Sequence, residues 1–139
     1  MIAYRLTRSK YAQDLTGSGG LQAANRCNHK GTPVIYAAQH VSLALAEKLV
    51  HLELSEEPPD YVLVTIEIPD DVPIRRATTE EALAASTNPD VPVFIVPSVV
   101  VPQEFNVVIY PQAAGFKATV TNVEPFRIDE RLIGLGKWR

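Results

Sequence analysis

The stretch that most narrows what this chain can fold into is Tyr61 to Ile68. Val62, Val64, Ile66 and Ile68 fall on one side of an extended backbone, and Tyr61, Leu63, Thr65 and Glu67 on the other. That period of two predicts a strand with one apolar face. Shorter apolar runs predict companions for it at Ile2–Leu6, Val34–Ala37, Val93–Val96 and Asn106–Ile109, with a further alternating run at Ala118–Val123. Pro97 and Pro102 bracket the connector from Pro97 to Glu104, which therefore cannot pair as a continuous central strand. Arg127 to Leu132 leads into a short tail.

Two helices are expected among these strands. Ser42 is a cap candidate for one running to about Leu54, where Pro58-Pro59 prevents continuation. Leu43, Ala46, Leu49 and Val50 recur at helical spacing. Glu47 shares an edge of that stripe, so it either faces a cavity or borders the core. Thr78 with Glu81 forms a capping box for a short helix over about Thr79–Ala85, and Asn88-Pro89-Asp90 breaks it. Tyr11–Gly20 carries turn chemistry, and Asn25–Pro33 stays polar. With no repeat and no visible boundary, residues 1–139 read as a single α/β (α+β) domain built on a mixed sheet.

The bulk properties exclude several functions. A chain of 139 residues with 46% hydrophobic and 21% charged residues is ordinary globular material with room for one core. A net charge of −3 and no basic run longer than Arg75-Arg76 disfavour direct nucleic-acid binding, which needs a basic footprint. No apolar stretch approaches a membrane span, and Met1–Leu6 lacks the pattern of a signal peptide. A cytoplasmic location is the default expectation, and the single cysteine, Cys27, fits a reducing compartment.

Standard chemical templates also fail. His29, His40 and His51 are evenly spaced and Glu47 precedes His51 by one turn, but such a pair is far more often a solvated helix face than a ligand set, so no metal is expected. Cys27 beside Arg26 has one feature of an activated thiol, yet it lacks an identifiable base and reads better as a small buried filler. Gly17-Ser18-Gly19-Gly20 matches neither the dinucleotide nor the P-loop spacing.

What stands out is a set of blocks in order. Tyr4-Arg5 opens the chain. Asn25-Arg26-Cys27-Asn28 follows, then Gly31-Thr32-Pro33 and a strand ending in Tyr36. Leu43 to Glu47 comes next, and later Val96-Pro97-Ser98-Val99-Val100-Val101-Pro102-Gln103-Glu104-Phe105-Asn106. Arg26 precedes Tyr36 by ten residues, and Tyr36 precedes Glu47 by eleven. Together these blocks resemble the RES domain, a family named for its Arg, Glu and Ser, and the resemblance runs from Tyr4 to about Leu132. Departures are Asn25 for the family's Gly, Cys27 for its Trp, a short stretch between Ile68 and Val93 without the usual Trp, and Gln112-Ala113 for a commoner His-Pro.

The resemblance implies a fold similar to the ADP-ribosyltransferases and a toxin of a bacterial toxin–antitoxin pair. Its substrate would be NAD⁺, consumed by hydrolysis or phosphorolysis of the nicotinamide–ribose bond. The alternatives are transfer of ADP-ribose to a protein, or an inactive NAD-binding or antitoxin-docking module. An Xre-type antitoxin would be the partner, DNA would be reached only through that complex, and a homodimer is left open. By the same resemblance Arg5 and Arg26 clamp the pyrophosphate, to whose oxygens arginine forks are suited. Tyr36 offers a ring to the cationic nicotinamide. Glu47 stabilises the charge developing on the ribose. Ser98 bonds the nicotinamide ribose or orients Glu47, and Asn106 steadies that loop. Taken singly, each of these residues also fits a plain structural role.

Overall fold

The computed structural model describes residues 1–51 and 60–133. Seven strands form one mixed sheet: β1 (Ile2–Arg8), β2 (Ile35–Ala38), β3 (Tyr61–Glu67), β4 (Ile74–Arg76), β5 (Val93–Pro97), β6 (Phe105–Ile109) and β7 (Thr119–Pro125). Their order across the sheet is β4-β5-β6-β2-β1-β3-β7, all neighbours antiparallel except the parallel pair β4–β5. Among the described residues four α-helices accompany them: α1 (Gly19–Gln22), α2 (Val41–Leu49), α3 (Thr79–Ala85) and α4 (Glu130–Ile133).

The alternation in β3 is obeyed, but it has two apolar faces. Val62, Val64 and Ile66 join Ile35, Ala37, Ile95, Val107 and Ile109 in the core of one face. Tyr61 and Leu63 point the other way and are also buried, beneath Leu43 and Ala44 of α2. Farther along that second face, Phe94, Val96 and Val108 pack with Ala82 of α3. Phe94 and Tyr110 meet edge to face, 5.3 Å between ring centroids. A helix thus covers each half of this face, and a gap is left between them.

The sheet has a seam. β1 runs beside β3 through seven residue pairs and β2 beside β6 through four, yet β1 and β2 are in register only at Tyr4 and Ala38. Two well-laddered blocks are therefore joined at one point.

The capping box at Thr78 is present. Thr78 Oγ1 accepts from the Glu81 amide at 3.1 Å, and Glu81 Oε1 accepts from the Thr78 amide at 2.9 Å, which fixes the start of α3. The cap expected of Ser42 is not. His40 is the N-cap residue of α2, without a side-chain hydrogen bond, and Ser42 lies inside the helix, exposed. The helix ends at Leu49; Leu54 and Pro58-Pro59 lie outside the described residues. Its buried stripe is also shifted. Leu43 and Ala44 are buried, whereas Val50 is exposed. Strand β4 and helix α1 add to the expected elements. Both are too short to show a period, and α1 is drawn from glycines.

Candidate active site

A cleft with about 200 Å³ of interior space opens along the seam. β1 contributes Arg5, β2 contributes Tyr36, α2 contributes Glu47 and Lys48, and β6 contributes Asn106. Arg26 and Cys27 enter from the turn that precedes β2. Five of the six expected site residues therefore share one hollow: Arg5, Arg26, Tyr36, Glu47 and Asn106.

The sixth, Ser98, stands behind it. Ser98 is 2% exposed, and its Oγ–H donates to Glu47 Oε2 at 2.9 Å. The same oxygen accepts from the Val100 and Val101 amides at 3.1 and 3.0 Å, so the hydroxyl is fully committed. The proline-bracketed connector produces this geometry. Ser98 N–H donates to Glu104 O at 2.9 Å and closes the connector into a tight turn at the end of β5. Asn106 Nδ2 donates to the same Glu47 Oε2. One carboxylate oxygen of Glu47 thus receives two protein donors, and Oε1 takes no hydrogen bond among the described residues. Two donors on one acceptor keep the carboxylate in one place.

Arg26 is held differently. It is exposed, and its main-chain N–H donates to Asn25 Oδ1 at 2.8 Å. Its guanidinium has no carboxylate within ion-pair distance among the described residues. What is fixed is the backbone beneath it. Asn25 and Asn28 exchange main-chain hydrogen bonds across the turn. Tyr36 Oη accepts from the Cys27 N–H at 3.2 Å and donates to Asn28 Oδ1 at 2.6 Å. Tyr110 Oη donates to Cys27 O at 2.7 Å. Both main-chain polar groups of Cys27 are therefore held by tyrosine hydroxyls. Asn28 itself is 1% exposed, and its Nδ2 donates to the carbonyls of Ala23 and His29, both at 3.1 Å. The turn sits against α1, where Gly20 approaches so closely that a Cβ there would lie 2.0 Å from Thr32 O.

Tyr36 brings its ring to the cleft, but its hydroxyl is spent on the turn. Burial pushes that hydroxyl well above the usual phenol range. Cys27 is 3% exposed and packs with Val34, Phe94 and Tyr110, as a filler should. Burial pushes its thiol up to about 11, against the pull of Arg26, so it is no nucleophile at neutral pH.

Arg5 reaches the cleft by an indirect route. Strand alternation sets it on the face of Ala3 and Val64. It still lines the cleft at the seam, and its Nη1 donates to Asp14 O at 3.0 Å. The Asp14 carboxylate accepts from Thr16 and Ser18 and steadies the loop that supplies this carbonyl.

Sequence reasoning missed Asn28, Tyr110 and Lys48. Asn28 lies within the resemblance, but nothing in a polar turn marks which residue is buried. Tyr110 carries no signal beyond ending an apolar strand. Lys48 follows Glu47 and lines the cleft, as does His51, whereas His29 and His40 do not. Among the described residues no three His, Cys, Asp or Glu side chains gather as a metal site would need, and no helix is long and apolar enough to cross a membrane.

Known proteins resemble this chain in sequence and in fold. The RES domain model matches residues 2–90. A protein of Photorhabdus laumondii subsp. laumondii named Toxin Res is 35% identical over 96% of this chain and 97% of its own. The Prs ADP-ribosylating toxin of a Sphingobium species is 31% identical over 91% of each chain. In fold, the chain is similar to one in the crystal structure of the M. tuberculosis MbcT–MbcA toxin–antitoxin complex, with a TM-score of 0.66 and 18% identity over 90% of this chain and 83% of that one. On its sequence, from the strand carrying Arg5 through Glu47 to α3, this chain belongs to the RES-domain toxin family.

Proposed function

We propose that this protein is the toxin of a toxin–antitoxin pair and breaks the nicotinamide–ribose bond of NAD⁺, with water or inorganic phosphate accepting the ADP-ribose. The observation that carries this reading is Glu47, its Oε2 pinned by Ser98 and Asn106, in a cleft that also presents Arg5 and Arg26. The chain is acidic overall, yet this hollow gathers cations around one carboxylate, which suits an anionic substrate that develops positive charge as it reacts.

In this mechanism Arg5 and Arg26 hold the pyrophosphate, and the Tyr36 ring lies against the cationic nicotinamide. The bond from ribose C1′ to the pyridinium nitrogen breaks, and its electron pair leaves with neutral nicotinamide. The ribose becomes oxocarbenium-like. Glu47 Oε1 faces that charge and the ribose hydroxyls, and stabilising charge of this kind is where enzymes gain most of their rate. An oxygen of water or phosphate then forms the new bond to C1′, and a water nucleophile gives its proton to solvent. Ser98 acts through Glu47 and leaves the substrate untouched, and Asn106 does the same.

The partner is an antitoxin of Xre type that covers the cleft, and the working compartment is the cytoplasm. The antitoxin part of this reading is supported by the fold shared with a chain from a toxin–antitoxin complex. A second reading, ADP-ribose transfer to a protein through the same cleft, is favoured by the relative named as an ADP-ribosylating toxin. Incubating the protein with NAD⁺, with and without phosphate, and following products by mass spectrometry separates the two. Free nicotinamide in the absence of any protein substrate supports the first, and label on a target protein the second. NAD⁺ that is bound and returned intact would favour a binding module and sink both.

A further inference from the structure

The cleft holds more positive charge than the mechanism above uses. Lys48 is half-buried, lines the cleft with Arg5, and carries its Nζ 5.6 Å from the centroid of the Tyr61 ring. No carboxylate lies within ion-pair distance of it among the described residues. Glu47, its neighbour in sequence, has one oxygen committed to Ser98 and Asn106. Burial, and after it the repulsion of Arg5, pushes the Lys48 ammonium below its usual range. Arg5 is pushed down by burial too, with Asp14 opposing. Two half-buried cations at one wall raise each other's free energy until an anion comes between them. The Tyr61 ring under the ammonium favours its charge.

We propose that Lys48, with Arg5, forms a seat for a phosphoryl group on the wall built by β1 and α2. The seat itself needs only the two cations. Its occupant rests on the NAD⁺ reading, which offers two sources of the same chemistry: the pyrophosphate of the dinucleotide, or inorganic phosphate arriving as acceptor. Phosphoryl oxygens take charge-assisted hydrogen bonds from an ammonium and a guanidinium alike.

The test is calorimetric titration of the full chain with inorganic pyrophosphate and, separately, inorganic phosphate. Wild type is compared with Lys48→Met, which keeps an apolar stem against Tyr61, and Lys48→Arg, which keeps the charge. The expected result is binding by wild type, about tenfold weaker binding by Lys48→Met, and near-wild-type binding by Lys48→Arg. If the dinucleotide fills the seat, pyrophosphate competes with NAD⁺, and Lys48→Met raises KM about tenfold with kcat little changed. If the acceptor fills it, phosphate binds in the presence of NAD⁺, and its stimulation of cleavage disappears in Lys48→Met. Either arm supports the proposal. Equal anion binding by wild type and Lys48→Met overturns it, as does wild type binding neither anion, and each of these results overturns it even where NAD⁺ is cleaved normally. Lys48-dependent binding without any NAD⁺ cleavage leaves the seat standing and removes the NAD⁺ reading. Should Lys48→Met fail to fold, Lys48→Gln carries the same titration.

Discussion

The two sides of the cleft are fixed in opposite ways. At the acidic corner the functional group itself is held: Glu47 Oε2 takes donors from Ser98 and Asn106, and Ser98 is in turn locked by two amides. At the basic turn the guanidinium of Arg26 is left exposed and only the backbone under it is braced, by Tyr36, Tyr110 and Asn28. Stabilising a transition state demands a charge already in place, because reorganising it during reaction would forfeit the gain. Gripping a flexible dinucleotide demands reach, and a long side chain on a rigid base supplies that. On the proposed NAD⁺ reading, the contrast gives rate to one corner and affinity to the other.

That division breaks most sharply at Glu47. Glu47→Gln keeps the size and the hydrogen-bonding oxygen but removes the charge. We expect NAD⁺ cleavage to fall about a thousandfold, roughly 4 kcal/mol of transition-state stabilisation, with the unfolding temperature little changed. Steady-state kinetics beside a thermal melt check it. A variant that retains most of its turnover removes the acid from the mechanism.

Ser98→Ala is the next largest. It leaves the charge and removes one of its two supports, so kcat should drop about tenfold to a hundredfold while KM holds. It also strips the Val100 and Val101 amides of their acceptor, so denaturant titration should show a loss of about 1–3 kcal/mol of stability. Ser98→Thr, which keeps the hydroxyl, should restore part of the rate. A rise in KM with unchanged kcat would place Ser98 against substrate instead.

On the basic side the signature should invert. Arg26→Ala is expected to raise KM for NAD⁺ about tenfold or more with little effect on stability, because the side chain is exposed and has no ion-pair partner to lose among the described residues. Tyr36→Phe removes the hydroxyl that joins Asn28 to the Cys27 amide, and should cost about 1–3 kcal/mol of stability as well as affinity. Comparing the two separates loss of the hand from loss of the wrist.

How far the sequence led depends on the signal each residue carries. β3 is legible because its residues obey one period, and α3 because its capping box is a local device that needs no tertiary partner. The start of α2 differs from expectation. Ser42 has the chemistry of a cap, but the chain from β2 turns into the helix at His40, and tertiary placement overrides propensity. The seam between β1 and β2 is invisible in the sequence, since register depends on two strands distant along the chain. The residues of the cleft come through family order, and that order is blind to support. Ser98 appears in it beside cleft-lining residues, although it stands behind Glu47. Tyr110 and Lys48 are not singled out by it, because the surroundings of each are supplied only by the fold.

The smallest predicted effect lies under the basic turn and is read by pH. Cys27 is a thiol whose ordinary value is near 9 and which burial raises to about 11. Between those values the unfolded chain has released the proton and the folded chain keeps it. Folding stability contributed by the neutral thiol is therefore intact below pH 9 and declines by about 1.4 kcal/mol per pH unit above it, until the folded thiol ionises near pH 11. Tyr36 and Tyr110, also raised by burial, steepen the decline above pH 10, the ordinary phenol value. Cys27→Ala should lower stability at neutral pH through the small cavity it leaves, yet flatten the slope between pH 9 and 10, where the thiol titrates alone among these three. Ser98 carries no group that titrates in this range, so Ser98→Ala should lower stability without changing that slope. Denaturant midpoints at half-unit pH steps resolve the two cases, and an unchanged slope in Cys27→Ala would mean that the thiol under the turn is not held neutral by its burial.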